Sequence, residues 1–229
     1  MTPVRSAVVT LPGVPGPGDG DPGPGPAARG ATGPGGGGPA ARAVRLADLA
    51  REASGCTRCG LAGGRTQVVF GVGDPDAELM LVGEGPGEQE DLQGEPFVGR
   101  SGRLLDRLLA EELGLHRRHC YIANIVKCRP PGNRDPLPGE AAACRPFLDA
   151  QLELVDPAVI VTLGNVATRA LLATTEGITR LRGRSYPFGT RTVVPTFHPA
   201  AVLRGGGEAL AQMRADLVRA KARLVGAGR

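Results

Sequence analysis

Four of the five cysteines set the strongest constraint on this 229-residue chain. Cys56 and Cys59 form a Cys-x-x-Cys pair, Cys128 follows far downstream in K-C-R-P-P-G-N-R, and Cys144 sits in A-A-A-C-R-P-F. Two ligands close in sequence and two recruited from afar is how a chain folds around one metal centre. Thiolates are soft ligands that select zinc or iron–sulfur clusters. Cys120 opens an apolar run and reads as a small core hydrophobe. Spacing alone leaves open a set in which Cys120 replaces Cys128.

The composition narrows the class. Hydrophobic residues make up 41% of the chain and aromatics only 3%, with no Trp, so a core must be built from Leu, Val, Ala and Ile. A net charge of +4 permits a polyanionic partner without requiring one. No apolar run reaches the ~20 residues of a bilayer span. No secretory signal pattern opens the chain, so a cytoplasmic, reducing setting is expected, in which cysteines serve as ligands rather than disulfides. Nothing in the sequence demands an assembly, and a monomer is expected.

Residues 1–42 are rich in Gly and Pro, a composition that cannot bury enough apolar surface to offset the entropy of ordering. They are expected to form a disordered tail ahead of a domain over 43–229. A helix is expected from Ala43 to Ala53. Four continuous apolar runs then read as buried strands: Glu78–Gly83, Tyr121–Val126, Ala158–Leu163 and Thr192–Phe197. Helical patterns alternate with them at Ser101–Leu113, Pro138–Val155, Asn165–Thr174 and Glu208–Val225. The alternation predicts an α/β fold, a parallel sheet covered on both faces. Working sites in such sheets lie beyond the carboxyl ends of the strands, which selects Gly83–Asp91, Asn124–Arg134, Gly164–Asn165 and His198–Arg204.

Each of these segments carries chemistry-bearing residues. The turn G-E-G-P-G-E-Q-E-D (83–91) holds Glu84 at a strand end. It has neither a G-x-G-x-x-G pattern nor a Walker lysine, which disfavours a nucleotide-phosphate cradle. Phe97, between Pro and Gly-rich neighbours, is either a loop anchor or a ring that stacks on a flat ligand. Asn124 is costly in a buried run unless its amide is satisfied, and that amide offers the donor and acceptor a pyrimidine edge needs. His198 precedes Pro199 at the end of the last strand, held extended toward the site. Val202 and Leu203, beside Arg204, are expected on an exposed loop able to wedge into a base stack. The basic turn H-R-R-H (116–119) precedes a strand.

Taken in order, these motifs resemble the bacterial and archaeal family 4 uracil-DNA glycosylases, the iron–sulfur branch of that superfamily. The resemblance spans roughly residues 43–225 and rests on C-T-R-C, G-E-G-P-G-E-Q-E-D, P-F-V-G-R-S-G, N-I-V-K-C-R-P-P-G-N-R, Cys144 and H-P-A-A-V-L-R. It implies a three-layer α/β/α sandwich with a four-stranded parallel sheet, and a 4Fe–4S cluster on Cys56, Cys59, Cys128 and Cys144. It implies hydrolysis of the uracil N-glycosidic bond in single- or double-stranded DNA. Phe97 would stack on uracil, Asn124 would read its edge, and His198 would stabilise charge on O2. Glu84 and the backbone at Gly85 would position water, with Glu90 ranked below them, and Asn133 would contact the site or DNA. A related branch bonds covalently to DNA through a His in an inserted K-R-R-I-H loop. The turn here is G-E-G-P-G rather than G-E-Q-P-G, and no such insertion follows Cys128. An inert or covalently binding relative is the alternative, and a zinc-stabilised module a further one.

Overall fold

The computed structural model describes residues 38–227; the expected tail lies outside them, apart from its last five residues. In chain order the elements are α1 (Pro39–Ser54), β1 (Val72–Gly73), β2 (Leu79–Gly83), α2 (Glu88–Gln93), α3 (Arg100–Leu108), β3 (Tyr121–Asn124), α4 (Pro138–Val155), β4 (Val159–Leu163), α5 (Asn165–Leu172), α6 (Ile178–Leu181), β5 (Tyr186–Phe188), β6 (Arg191–Thr196) and α7 (Pro199–Gly226). The expected boundary at 42/43 falls inside α1, whose Leu46 and Ala53 are buried in the core.

The sheet runs β1-β3-β2-β4-β6-β5. The four central strands are parallel, as the apolar runs predict. Two short antiparallel strands, β1 and β5, extend its edges. Side chains alternate across the sheet and define two cores. Met80, Val82, Tyr121, Ala123, Ile160 and Val193 pack under α1, α4 and α5. Leu79, Leu81, Ile122, Val159, Val161 and Val194 pack under α3 and α7. Every residue of β2, β3 and β4 is buried, and each large aliphatic so enclosed contributes roughly 1.5–3 kcal/mol. That accounts for runs without polar alternation and for three layers.

Three local differences bear on the site. β3 stops at Asn124, which puts this side chain at the strand's carboxyl end rather than within it. The segment Ser101–Leu113 is helical but changes to a π turn over Leu109–Leu113, closed by Gly114 at φ 72. The final helix begins at Pro199, not Glu208. Proline is favoured in a first turn, and His198 caps it by accepting the Ala200 N–H on Nδ1 at 3.2 Å. The helix breaks at Gly206, φ 73.

Candidate functional site: a cavity at the strand ends and a separate thiol pocket

A cavity of about 520 Å³ opens beyond the carboxyl ends of the parallel strands. Glu84, Gly85, Phe97, Asn124, Asn133, His198 and Arg204 all line it. The sequence separates these residues by as much as 120 positions; the parallel sheet delivers them to one mouth.

Close packing at Gly83 sets the floor. A Cβ there would lie 2.4 Å from Asn124 Oδ1 and 2.6 Å from Phe97 Cζ. Only glycine lets the amide and the ring sit on either side of this backbone. Asn124 is 2% exposed, and its Oδ1 has no hydrogen-bond partner, which is costly for a buried polar atom. Its backbone carbonyl accepts from Lys127 Nζ at 2.9 Å, and the same ammonium donates to Gln151 Oε1 at 2.5 Å. Burial drives Lys127 down to about 7, offset in part by the Cys144 sulfur.

Phe97 holds a left-handed backbone, φ 55, which costs an L-residue about 1–2 kcal/mol. Its ring centroid lies 5.7 Å from that of His198, at 34°. Glu90 ties this loop to the Gly-rich turn: Oε1 accepts from Val98 N and Gly99 N, both at 3.0 Å, and Oε2 from Gly87 N at 3.2 Å. Ranked below Glu84 on sequence, Glu90 is the strut between the two loops.

The titrating groups are pushed apart. Burial, then Arg204, lowers His198 to about 4, with Glu90 pulling the other way. At neutral pH the imidazole is therefore uncharged. Since Nδ1 accepts from Ala200, the single ring proton sits on Nε2. Burial and the facing Asp135 carboxyl raise Glu84 to about 7. Asp135, which the sequence reading did not single out, is thus part of the site.

Val202 does not lie on an exposed loop: it is 3% exposed and packs into the core with Met213 and Leu217, because the segment after Pro199 is helix and Val202 falls on its inner face. Leu203, at 44% exposure, and Arg204 are exposed, Arg204 at the rim of the cavity it lines. Among other basic residues near the mouth, Arg134 is engaged in two bonds to Glu140, at 2.7 and 2.8 Å, and Arg129 Nε donates to Asn133 Oδ1 at 2.8 Å.

Cys56, Cys59, Cys128 and Cys144 line one pocket with Arg65, Lys127 and Phe147, and this pocket shares no lining residue with the larger cavity. The Lys127 N–H donates to Cys144 Sγ at 3.3 Å and Arg65 Nη1 to Cys128 Sγ at 3.5 Å, the contacts a buried thiolate needs. Cys120 lies in the opposite core, where burial, then Asp106, pushes its thiol up to about 12. The set with Cys120 in place of Cys128 is thereby excluded. Among the described residues no three His, Cys, Asp or Glu side chains converge as ligands of a single metal ion. A cluster with several irons spreads its thiolates more widely, and four sulfurs around one pocket, two of them already receiving N–H donors, fit it.

Among the described residues no helix is long and apolar enough to cross a membrane. The profile of the Uracil DNA glycosylase superfamily matches residues 70–220. A "Type-4 uracil-DNA glycosylase" of Thermotoga maritima is 50% identical over 151 residues, covering 65% of this chain and 78% of the relative. Those of Sulfurisphaera tokodaii and Archaeoglobus fulgidus are each 45% identical over 166 residues, covering 69% of this chain and 76% and 83% of the relatives. With matches of this extent joined to a cavity at the strand ends, the chain belongs to the Type-4 family of uracil-DNA glycosylases.

Proposed function

We propose that this chain takes uracil flipped out of DNA into the cavity and hydrolyses its N-glycosidic bond, leaving an abasic site for base excision repair. The observation that carries this reading is the convergence of Phe97, Asn124, His198 and Glu84 on one cavity, with Asn124 Oδ1 buried and unpartnered. Flipping costs a few kcal/mol of stacking and pairing. The base regains stacking on Phe97 and pairs its edge with Asn124: Oδ1 accepts N3–H and the amide nitrogen donates to O4. Cytosine offers the opposite pattern at both positions, and the mismatch costs about 1–3 kcal/mol per unpaired group.

Bond cleavage leaves negative charge on the uracil and an oxocarbenium-like sugar. The Nε2–H of neutral His198 is the donor for developing charge at O2. Glu84, with the backbone at Gly85, orients and deprotonates the attacking water. Leu203 and Arg204 enter the duplex beside the extruded nucleotide, and Asn133 contacts DNA at the rim.

Cys56, Cys59, Cys128 and Cys144 would hold a 4Fe–4S cluster. When bound, it supplies iron–thiolate bonds that cross-link the segment after α1 to the segment after β3 and to α4. The site is complete within one chain, which supports a monomer, and cysteines that serve as metal ligands suit a reducing cytoplasm.

The test incubates the protein with an oligonucleotide carrying one uracil, then cleaves abasic sites with alkali. Strand cleavage is expected, falling by about 10²–10³-fold in His198→Ala. DNA binding without cleavage would make the chain an inert relative, and an adduct that survives denaturing electrophoresis would make it a covalent one.

A further inference from the structure

We propose that Arg117 is a positioning residue that holds the Phe97 ring in place for the flipped base. This rests on the reading of Phe97 as the stacking surface and adds the group that fixes it there. A bulky residue does not hold φ 55 unaided. On one side the loop is pressed against α3, since a Cβ on Gly102 would lie 1.7 Å from the Phe97 carbonyl oxygen.

Arg117 grips the same loop through its carbonyls. Its Nη2 donates to the Pro96 carbonyl at 2.7 Å and its Nη1 to the Phe97 carbonyl at 2.9 Å. The guanidinium is itself fixed by Asp106 of α3, at 3.2 and 3.3 Å, and by Glu95 at 3.0 Å. One planar fork thus meets two consecutive carbonyls and two carboxylates, an arrangement that a lysine ammonium cannot reproduce. Arg117 does not line the cavity, so it reaches the reaction only through the loop it grips. It belongs to the basic H-R-R-H turn that precedes β3.

A double-mutant cycle tests this, using Arg117→Ala, Phe97→Ala and the pair. The readouts are the single-turnover excision rate at saturating protein, inhibition by free uracil, and Tm. Arg117→Ala is expected to slow excision and weaken uracil inhibition by about tenfold, the scale of one lost charged hydrogen bond. In the Phe97→Ala background the same change is expected to add less than about twofold, the signature of coupled residues. Arg117→Lys should fail nearly as badly, and low millimolar guanidinium should partly restore Arg117→Ala. If Arg117→Ala does not fold, Arg117→Lys takes its place in the cycle. Equal losses in both backgrounds would overturn the inference while leaving the stacking surface intact. No effect of Phe97→Ala on either rate or uracil inhibition would overturn the stacking reading itself.

Discussion

The carboxyl of Glu84 gives a pH profile that can be worked out in advance. Burial is the larger cause of its rise from 4.5 to about 7, and the facing Asp135 the next. An acid of that strength is about 1% ionised at pH 5 and about 90% at pH 8. If Glu84 must be ionised to accept a proton from water, single-turnover excision should rise roughly a hundredfold over that range, with unit slope below the midpoint. His198, lowered to about 4, contributes no limb above pH 5. Asp135→Asn removes the neighbouring charge but not the burial, so the midpoint should fall while staying above 4.5. Glu84→Gln should abolish the limb and leave a slow, flat profile. Stability should run the other way. The native carboxyl keeps its proton above the pH at which the unfolded chain releases it, so its own contribution falls as pH climbs from 4.5 to about 7, against an opposite rise from His198 between about 4 and 6.5; the Tm difference between wild type and Glu84→Gln isolates it and should shift against wild type across that window. The assay is rapid quench on a uracil oligonucleotide with protein in excess. A flat wild-type rate between pH 5 and 8, or a limb that persists in Glu84→Gln, would refute Glu84 as the base.

Other expectations follow from the packing. Gly83→Ala must displace Asn124 or the Phe97 ring, and a misplacement on the order of 1 Å costs about a hundredfold in rate; quench kinetics beside thermal melts would show loss of activity in excess of loss of stability. Cys128→Ser should abolish absorbance near 400 nm and lower Tm together, since binding and folding are coupled at such centres; a colourless wild-type protein containing zinc would remove the iron–sulfur assignment. Val202→Ala should cost stability on the order of 1–2 kcal/mol, from two methylene equivalents, with little effect on DNA affinity measured by anisotropy. Leu203→Ala should leave Tm unchanged and weaken excision from duplex more than from single-stranded DNA.

The layers of the fold were legible because strands buried on both faces leave continuous apolar runs, as at Leu79–Gly83 and Val159–Leu163. The edge strands were not. Val72–Gly73 and Tyr186–Phe188 are too short to carry a pattern and are held by pairing with β3 and β6. The burial of Val202 has a signal in the sequence: a proline following a capping residue opens a helix, so aliphatics three and four positions on divide between inner and outer faces. The cavity residues could be found from their places after the strands. Asp135 and Arg117 could not, because each matters through a partner remote in sequence; Arg117 grips a carbonyl twenty residues away. The unpaired oxygen of Asn124 is likewise a property of the folded surroundings, invisible in the letters N-I-V-K-C.

Those five letters have an evolutionary corollary. Asn124 faces the cavity, Lys127 anchors its backbone to Gln151, and Cys128 lies in the thiol pocket. The spacing between the two chambers is therefore a rigid ruler four residues long. Lineages can exchange side chains along it, but an insertion or deletion would rotate one chamber out of phase with the other, so indels should be excluded from this stretch.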